Sequence, residues 1–264
     1  MESEEPVSEN RKKLLLNILP VISVLVFIGL WFFISRGEDS LIPSPMAVYE
    51  RYLKLRQKPI SKTSILGHIW ASSKRVLLGL IYASVFGISF GLLIGWNKTC
   101  NRIFKPLFEL IRPVPALAWI PLMTLWFGIG ETSKIALVFI GTIMPIIVNT
   151  YAGVRMIPQL NVDVARVFGA NSFQIVREIV LPSSLSAIIA GIKTALGTGW
   201  IVVLAAEMIS AKTGLGFMII RGSDVADLSL VIFAMLLIGL IGAALSSLLT
   251  WLERKLCPWK TEIN

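Results

Sequence analysis

Residues 163–182, DVARVFGANSFQIVREIVLP, form a polar interval 20 residues long in a chain otherwise built of long apolar runs. Their spacing reads as helix, turn, helix. Asp163 lies in the first turn of a short helix, where the positive end of the helix dipole favours a carboxylate. Gly169 supplies the left-handed conformation that ends such a helix. Ser172 offers a hydroxyl to cap the next helix, and Pro182, which has no N–H to donate, is its expected stop. A plain helical hairpin between two membrane spans is the simpler alternative for this spacing.

Outward from this interval the chain is apolar. Of its 264 residues, 55% are hydrophobic, and the mean hydropathy is +0.76. These values describe an all-α polytopic membrane protein rather than a water-soluble domain. The net charge of +9 does not indicate nucleic acid. The basic residues are scattered through the connections between apolar runs and form no continuous basic face. Cys100 and Cys257 lack metal-ligand spacing and form no disulfide framework.

Six runs are long enough to be transmembrane helices: 14–34, 76–96, 113–130, 135–154, 183–206 and 228–252. The first is too long for a signal peptide and follows an acidic tail, residues 1–13, so it is expected to be a retained span. Residues 35–75 form a mixed segment outside the membrane core. Within it a short amphipathic helix from Met46 places Val48, Tyr52 and Leu55 on one side, and a second helical stretch from Ile65 runs into the next span. His68, the single histidine, has no carboxylate or second ligand nearby in sequence and is read as a surface or packing residue. Gly87, Gly91 and Gly95 recur every fourth residue and make a smooth face for another helix. A loop over 97–112 follows. The third run starts with Pro113, Pro115 and Pro121, so it is irregular, and irregular backbone at membrane depth must be buried in protein or line a cavity. Residues 253–264 form a C-terminal tail.

Six spans put both termini on one side. Lysines and arginines divide almost evenly between the two sides, so the positive-inside rule does not orient the chain. The excess of positive charge in 36–75 is unexplained at this level.

The candidate substrate path rests on polar and aromatic residues within the spans. Lys193 lies 11 residues past Pro182, about 15 Å along a helix. A charge near the membrane centre costs about 2.5–3.5 kcal/mol on insertion scales. It either snorkels or pairs locally, or it faces a water-filled path and attracts an anion. Glu207, at the far end of the same run, either lines the exit of that path or caps the interface. Trp119, Trp200 and Asn149 are further candidates to line the path, with core packing the alternative for the tryptophans and helix–helix hydrogen bonding for Asn149. No phosphate-binding G-x-x-x-x-G-K-[ST] motif occurs.

The 163–182 spacing resembles the coupling loop of ABC importer permeases: Glu-Ala-Ala, three residues, Gly, nine residues, Ile-x-Leu-Pro. Asp163 stands for Glu and Val164 for Ala. The likeness extends over about 40–260. Glu109-Leu-Ile-Arg-Pro-Val-Pro115, Leu117-Ala-Trp-Ile-Pro121, Leu125 through Lys134, Ala205-Ala-Glu-Met208, Gly214-Leu-Gly-Phe217 and Pro258-Trp259 are similar to the taurine, aliphatic sulfonate and nitrate group of those permeases, the taurine branch most of all. The resemblance implies a type I importer fold whose cytoplasmic coupling loop, 160–182, docks into a groove on an ATPase subunit. The docking residues it implies are Asp163, Val164, Ala165, Gly169, Ala170, Phe173, Ile179, Leu181 and Pro182. It further implies a homodimer in a prokaryotic cytoplasmic membrane with both termini inside, two ATPase subunits that bind ATP and Mg, and an extracytoplasmic solute-binding protein. The chain itself would be non-catalytic and without a cofactor. Nitrate, bicarbonate, other alkanesulfonates and pyrimidine precursors are transported within the same group. A stand-alone secondary transporter is the rival reading; it calls for internal repeats and paired midplane charges, and of these only Lys193 is present. A membrane-embedded enzyme would need a catalytic cluster at one depth, and the sequence has none.

Overall fold

The computed structural model describes residues 7–37 and 42–258. Residues 1–6 of the acidic tail, residues 38–41 of the mixed segment and residues 259–264 of the C-terminal tail lie outside the described residues. Within them the fold is helical: α1 Val7–Ile34, α2 Pro45–Gln57, α3 Ile65–Trp96, α4 Lys98–Ile111, α5 Ile120–Phe127, α6 Glu131–Arg155, α7 Gln159–Val167, α8 Ser172–Ile175, α9 Leu181–Ser210, α10 Leu215–Asp224 and α11 Leu228–Leu256. Helix α1 already covers residues 7–13, which the sequence reading assigned to a tail.

Among the described residues, four helices are long and apolar enough to cross a membrane: α3, α6, the continuous Ser172–Ser210 helix that contains α9, and α11. Their packing follows from small residues. On α3, Gly79, Gly87, Gly91 and Gly95 lie against Val138, Ile146, Thr150 and Val154 of α6. The offset between partners is constant, so the two helices run parallel. A methyl group at Gly91 would sit 2.6 Å from Thr150 Cβ, a contact that only glycine makes unnecessary. Helices α6 and α9 pack antiparallel by the same device, Gly153 against Ala187 and Gly191 against Asn149. Around this trio the core gathers Val76, Leu80, Leu137, Val138, Ile146, Leu196, Trp200 and Val203. Helix α2 buries Val48 and Leu55, and Tyr52 meets Phe233 of α11 at 5.8 Å, so the amphipathic face read from the sequence is the face that packs.

The region of the third run differs from its expectation. Residues 98–111, read as a loop, form α4, with Asn97 capping the amides of Thr99 and Cys100. The chain then breaks at Arg112–Pro115, and α5 is only eight residues long, about 12 Å and too short to cross alone. Taken with the 3-10 turn Ala116–Trp119 before it, α5 meets α4 at 86°. The prolines explain the break: Arg112 is still helical, but Pro113 and Pro115 supply no N–H to continue the ladder, and Pro115 disfavours helical conformation at Val114. Helix α4 turns back along α3, with Phe104 edge-on to Phe90 at 5.3 Å.

Candidate functional site

The interval 163–182 lies at the end of the helix bundle where α3, α6 and α11 finish and α9 begins. Helix α7 closes with a Schellman turn. The Ala170 amide donates to the Ala165 carbonyl at 3.0 Å and the Gly169 amide to Arg166 at 2.9 Å. Gly169 has φ +83°, a conformation that costs a side-chain-bearing residue dearly. The next helix is capped by Asn171 rather than Ser172: Asn171 Oδ1 accepts from the Gln174 amide at 2.9 Å, and Gln174 Oε1 accepts from the Asn171 amide at 2.8 Å. This reciprocal box satisfies two amides, whereas a cap one residue later would satisfy one. Nor does Pro182 stop the helix. Residues Val176–Val180 form a π-turn, with the Leu181 amide bonded to the Val176 carbonyl. The wider turn makes room for the proline ring, and the helix runs on to Ser210.

The hairpin is anchored below and apolar above. Val162, Ile175 and Val180 are buried with Val154, and Trp96, Ala165, Ala170 and Ile179 pack against them. On the outer side, Val167 is 85% exposed, Phe168 86% and Phe173 73%, with Val164 and Leu160 also exposed. Asp163 falls in the middle of α7 rather than in its first turn; it is exposed and accepts from Gln159 Nε2 at 3.1 Å. Leu181 is at the margin of exposure. The predicted docking residues therefore divide: Asp163, Val164 and Phe173 face outward, while Ala165, Gly169, Ala170, Ile179 and Pro182 shape the support. Val167 and Phe168, exposed on the same side, were not among the residues expected there. Two large apolar residues directly before the turn glycine of a polar interval were the available signal. A rigid turn that presents a row of large apolar side chains to solvent is suited to seating in another protein.

The second constellation is at the opposite end. Glu207 is fully buried, not at a path exit. Its carboxylate accepts from Arg75 Nη1 at 2.6 Å, from Ser72 Oγ at 2.8 Å and from the Gly216 amide at 2.9 Å. Arg75, also buried, donates to Glu131 at 2.7 and 2.5 Å and to the Thr213 carbonyl at 2.9 Å. His68 Nδ1 accepts from the Gly214 amide at 3.0 Å, which makes it a packing residue. Gly214 has φ +126°, and a Cβ there would lie 2.4 Å from the Glu207 carboxylate. This knot ties α3, α6, α9 and the 211–214 turn together. It also removes Arg75 from the unexplained positive charge of 36–75, as the Arg51–Asp227 pair at 2.5 Å removes Arg51.

Of the remaining candidates, Lys193, Asn149 and Trp200 are accounted for by packing or pairing. Lys193 forms an ion pair with Glu253. Glu253 is in the last turn of α11, so the pair lies toward the 163–182 end of the bundle and presents no uncompensated cation at the midplane. Asn149 Nδ2 donates to the Pro145 carbonyl at 2.8 Å, within its own helix. Trp200 is in the core, its Nε1 buried beside Gly242. Trp119 does line a cavity, of about 390 Å³, together with Arg112, Pro115, Gly141 and Thr198.

Comparison with known proteins agrees with this arrangement. Residues 83–259 match the family described as the inner membrane component of binding-protein-dependent transport systems. A putative ABC transporter permease protein of Methanocaldococcus jannaschii is 36% identical over 96% of this chain and 95% of its own length. The taurine transport system permease protein of Escherichia coli is 34% identical over 93% and 91%. The bicarbonate transport system permease protein of Synechococcus elongatus is 34% identical over 92% and 91%. Among solved structures, the inward-facing MetNI methionine ABC transporter superposes with a TM-score of 0.58 at 20% identity, covering 70% of this chain and 95% of that one. At that identity the likeness shows the fold.

Proposed function

The chain belongs to the family of binding-protein-dependent transport inner membrane components, and we propose from this premise that it carries a small sulfonate, taurine foremost, across the cytoplasmic membrane. Membership makes it the permease subunit of an ABC importer, a multi-pass membrane protein that transports rather than catalyses and works with ATPase subunits and a binding protein. Beyond that, we propose a homodimer with both termini in the cytoplasm. The coupling loop 160–182 then faces the ATPase, which binds ATP and Mg. The observation that carries the docking role is the exposed row Val164, Val167, Phe168 and Phe173 around the Gly169 turn. ATP-driven closure of the ATPase pair would push on this row. The π-turn, in which Val180 is buried, passes the push directly into the continuous helix of α9.

Taurine is preferred because the residues of the resemblance and a relative aligned over nearly the whole chain point the same way. Bicarbonate and nitrate are the alternatives, and all three bear an anionic group. The test is uptake into proteoliposomes holding the permease, its ATPase and its binding protein. ATP-dependent accumulation of taurine, with nitrate and bicarbonate poor competitors, is the result expected. Preferential uptake of nitrate or bicarbonate would overturn the sulfonate assignment, and uptake without ATP would favour a secondary transporter.

A further inference from the structure

With Lys193 neutralised by Glu253, an importer of anions needs its central cation elsewhere, and the break after α4 supplies one. Helix α4 begins beside the docking loop, where Lys98 shares a surface cleft with Arg166 and Ser172. It climbs antiparallel to α3, Phe104 reaching Phe90 and Phe108 reaching Ile147. Arg112 is 14 residues beyond Lys98, about 21 Å higher. The cavity it lines is bordered by Gly141 and Met144 in the middle of α6 and by Thr198 in the middle of α9. The break therefore lies at the central depth of the bundle. Backbone freed from a helix at that depth is tolerated only where it is buried in protein or lines a water-filled cavity, and here it lines one.

Three features of the cavity fit a small anion. Arg112 is exposed and forms no ion pair among the described residues; the neighbouring carboxylate, Glu109, is 3.7 Å from Lys105 instead. Trp119 gives the cavity a flat apolar side, and Thr198 also lines it, its hydroxyl donating to the Thr194 carbonyl at 3.2 Å. The volume, about 390 Å³, holds a small organic anion with water. Below it, Lys98, Arg102, Lys105, Glu109 and Arg112 recur at steps of four, three, four and three, so one stripe of α4 is polar and mostly cationic from the cleft to the cavity. The opposite stripe, Ile103, Leu107 and Leu110, is exposed and apolar.

We propose that Arg112 is the anion-contacting residue of the translocation path, in a central cavity shared with Trp119 and Thr198, and that the basic stripe of α4 leads from it to the docking-loop side. This rests on the anion-importer reading above. A guanidinium offers paired N–H donors that match a sulfonate, carboxylate or nitrate edge.

The experiment uses the complete reconstituted complex, with taurine, nitrate and bicarbonate as probes. Arg112→Gln should lower anion uptake about tenfold or more, the loss expected for one charge-assisted contact, while ATPase co-purification stays at the wild-type level. Arg112→Lys should recover part of the rate with a raised half-saturating concentration. Unchanged uptake in Arg112→Gln overturns the proposal. Should Arg112→Gln fail to assemble, Arg112→Lys decides: altered half-saturation supports a contact, wild-type kinetics overturns it. A wild-type complex that imports only uncharged solutes would remove the anion-importer reading itself, whereas anion uptake indifferent to Arg112 removes this inference alone.

Discussion

Buried charge is the sharpest feature at the scale of single residues. Arg75, with almost no exposed surface, is held between Glu207 and Glu131. Removing one member of such a set leaves the other without compensation in a low-dielectric site. Arg75→Ala is therefore expected to lower stability by about 3–5 kcal/mol. Thermal unfolding of the detergent-purified protein would read it, and a wild-type midpoint would show that the knot is not structural. Lys193 gives a second case. Because Glu253 balances it, Lys193→Met should reduce protein level and uptake together, leaving uptake per folded molecule within about twofold of wild type. A selective loss of uptake at normal protein level would return Lys193 to the substrate path. Neither pairing was legible in the sequence. Arg75 and Glu207 are 132 positions apart, and Lys193 and Glu253 are 60 apart. Spacing along one chain locates local motifs but not partners on different helices.

Among the elements, the glycine face of α3 was legible because its period is that of the helix, and each glycine met a specific residue of α6. Its prediction is steric. Gly91→Leu places a branched side chain where a single methyl would already lie 2.6 Å from Thr150 Cβ. The expected cost is about 1–3 kcal/mol or more, read as a lower unfolding temperature. An unchanged temperature would mean that α3 and α6 can part without penalty. Helix α4 and the π-turn were not legible. In α4 the charges Lys98, Arg102 and Lys105 suggested a loop, although their spacing puts them on one helical stripe. At Pro182 the local rule that proline ends a helix was overridden by a single wider turn, Val176–Val180. Both misreadings treated a residue's average preference as decisive where the neighbouring turn could adjust.

As a whole molecule the protein has three parallel or antiparallel spans locked through small residues, a charged knot closing one end and an apolar hairpin protruding from the other. The knot fixes α3, α6 and α9 to each other, so force applied at the hairpin moves them together rather than shearing them. The Gly169 turn keeps the protruding row rigid. Gly169→Val, a β-branched residue at φ +83°, should disturb the turn and reduce ATP-driven uptake while the spans remain inserted; normal uptake would show that the turn's shape is irrelevant to coupling. The most direct test of the account is the amount of ATPase subunit that co-purifies in mild detergent with the tagged chain from its native membranes, compared between wild type and Phe168→Asp. Phe168 is almost wholly exposed and supports no core contact, so its replacement should spare the fold. The account predicts ATPase in equal amount with wild type and largely absent from Phe168→Asp. Equal ATPase in both, or none with either, would contradict it.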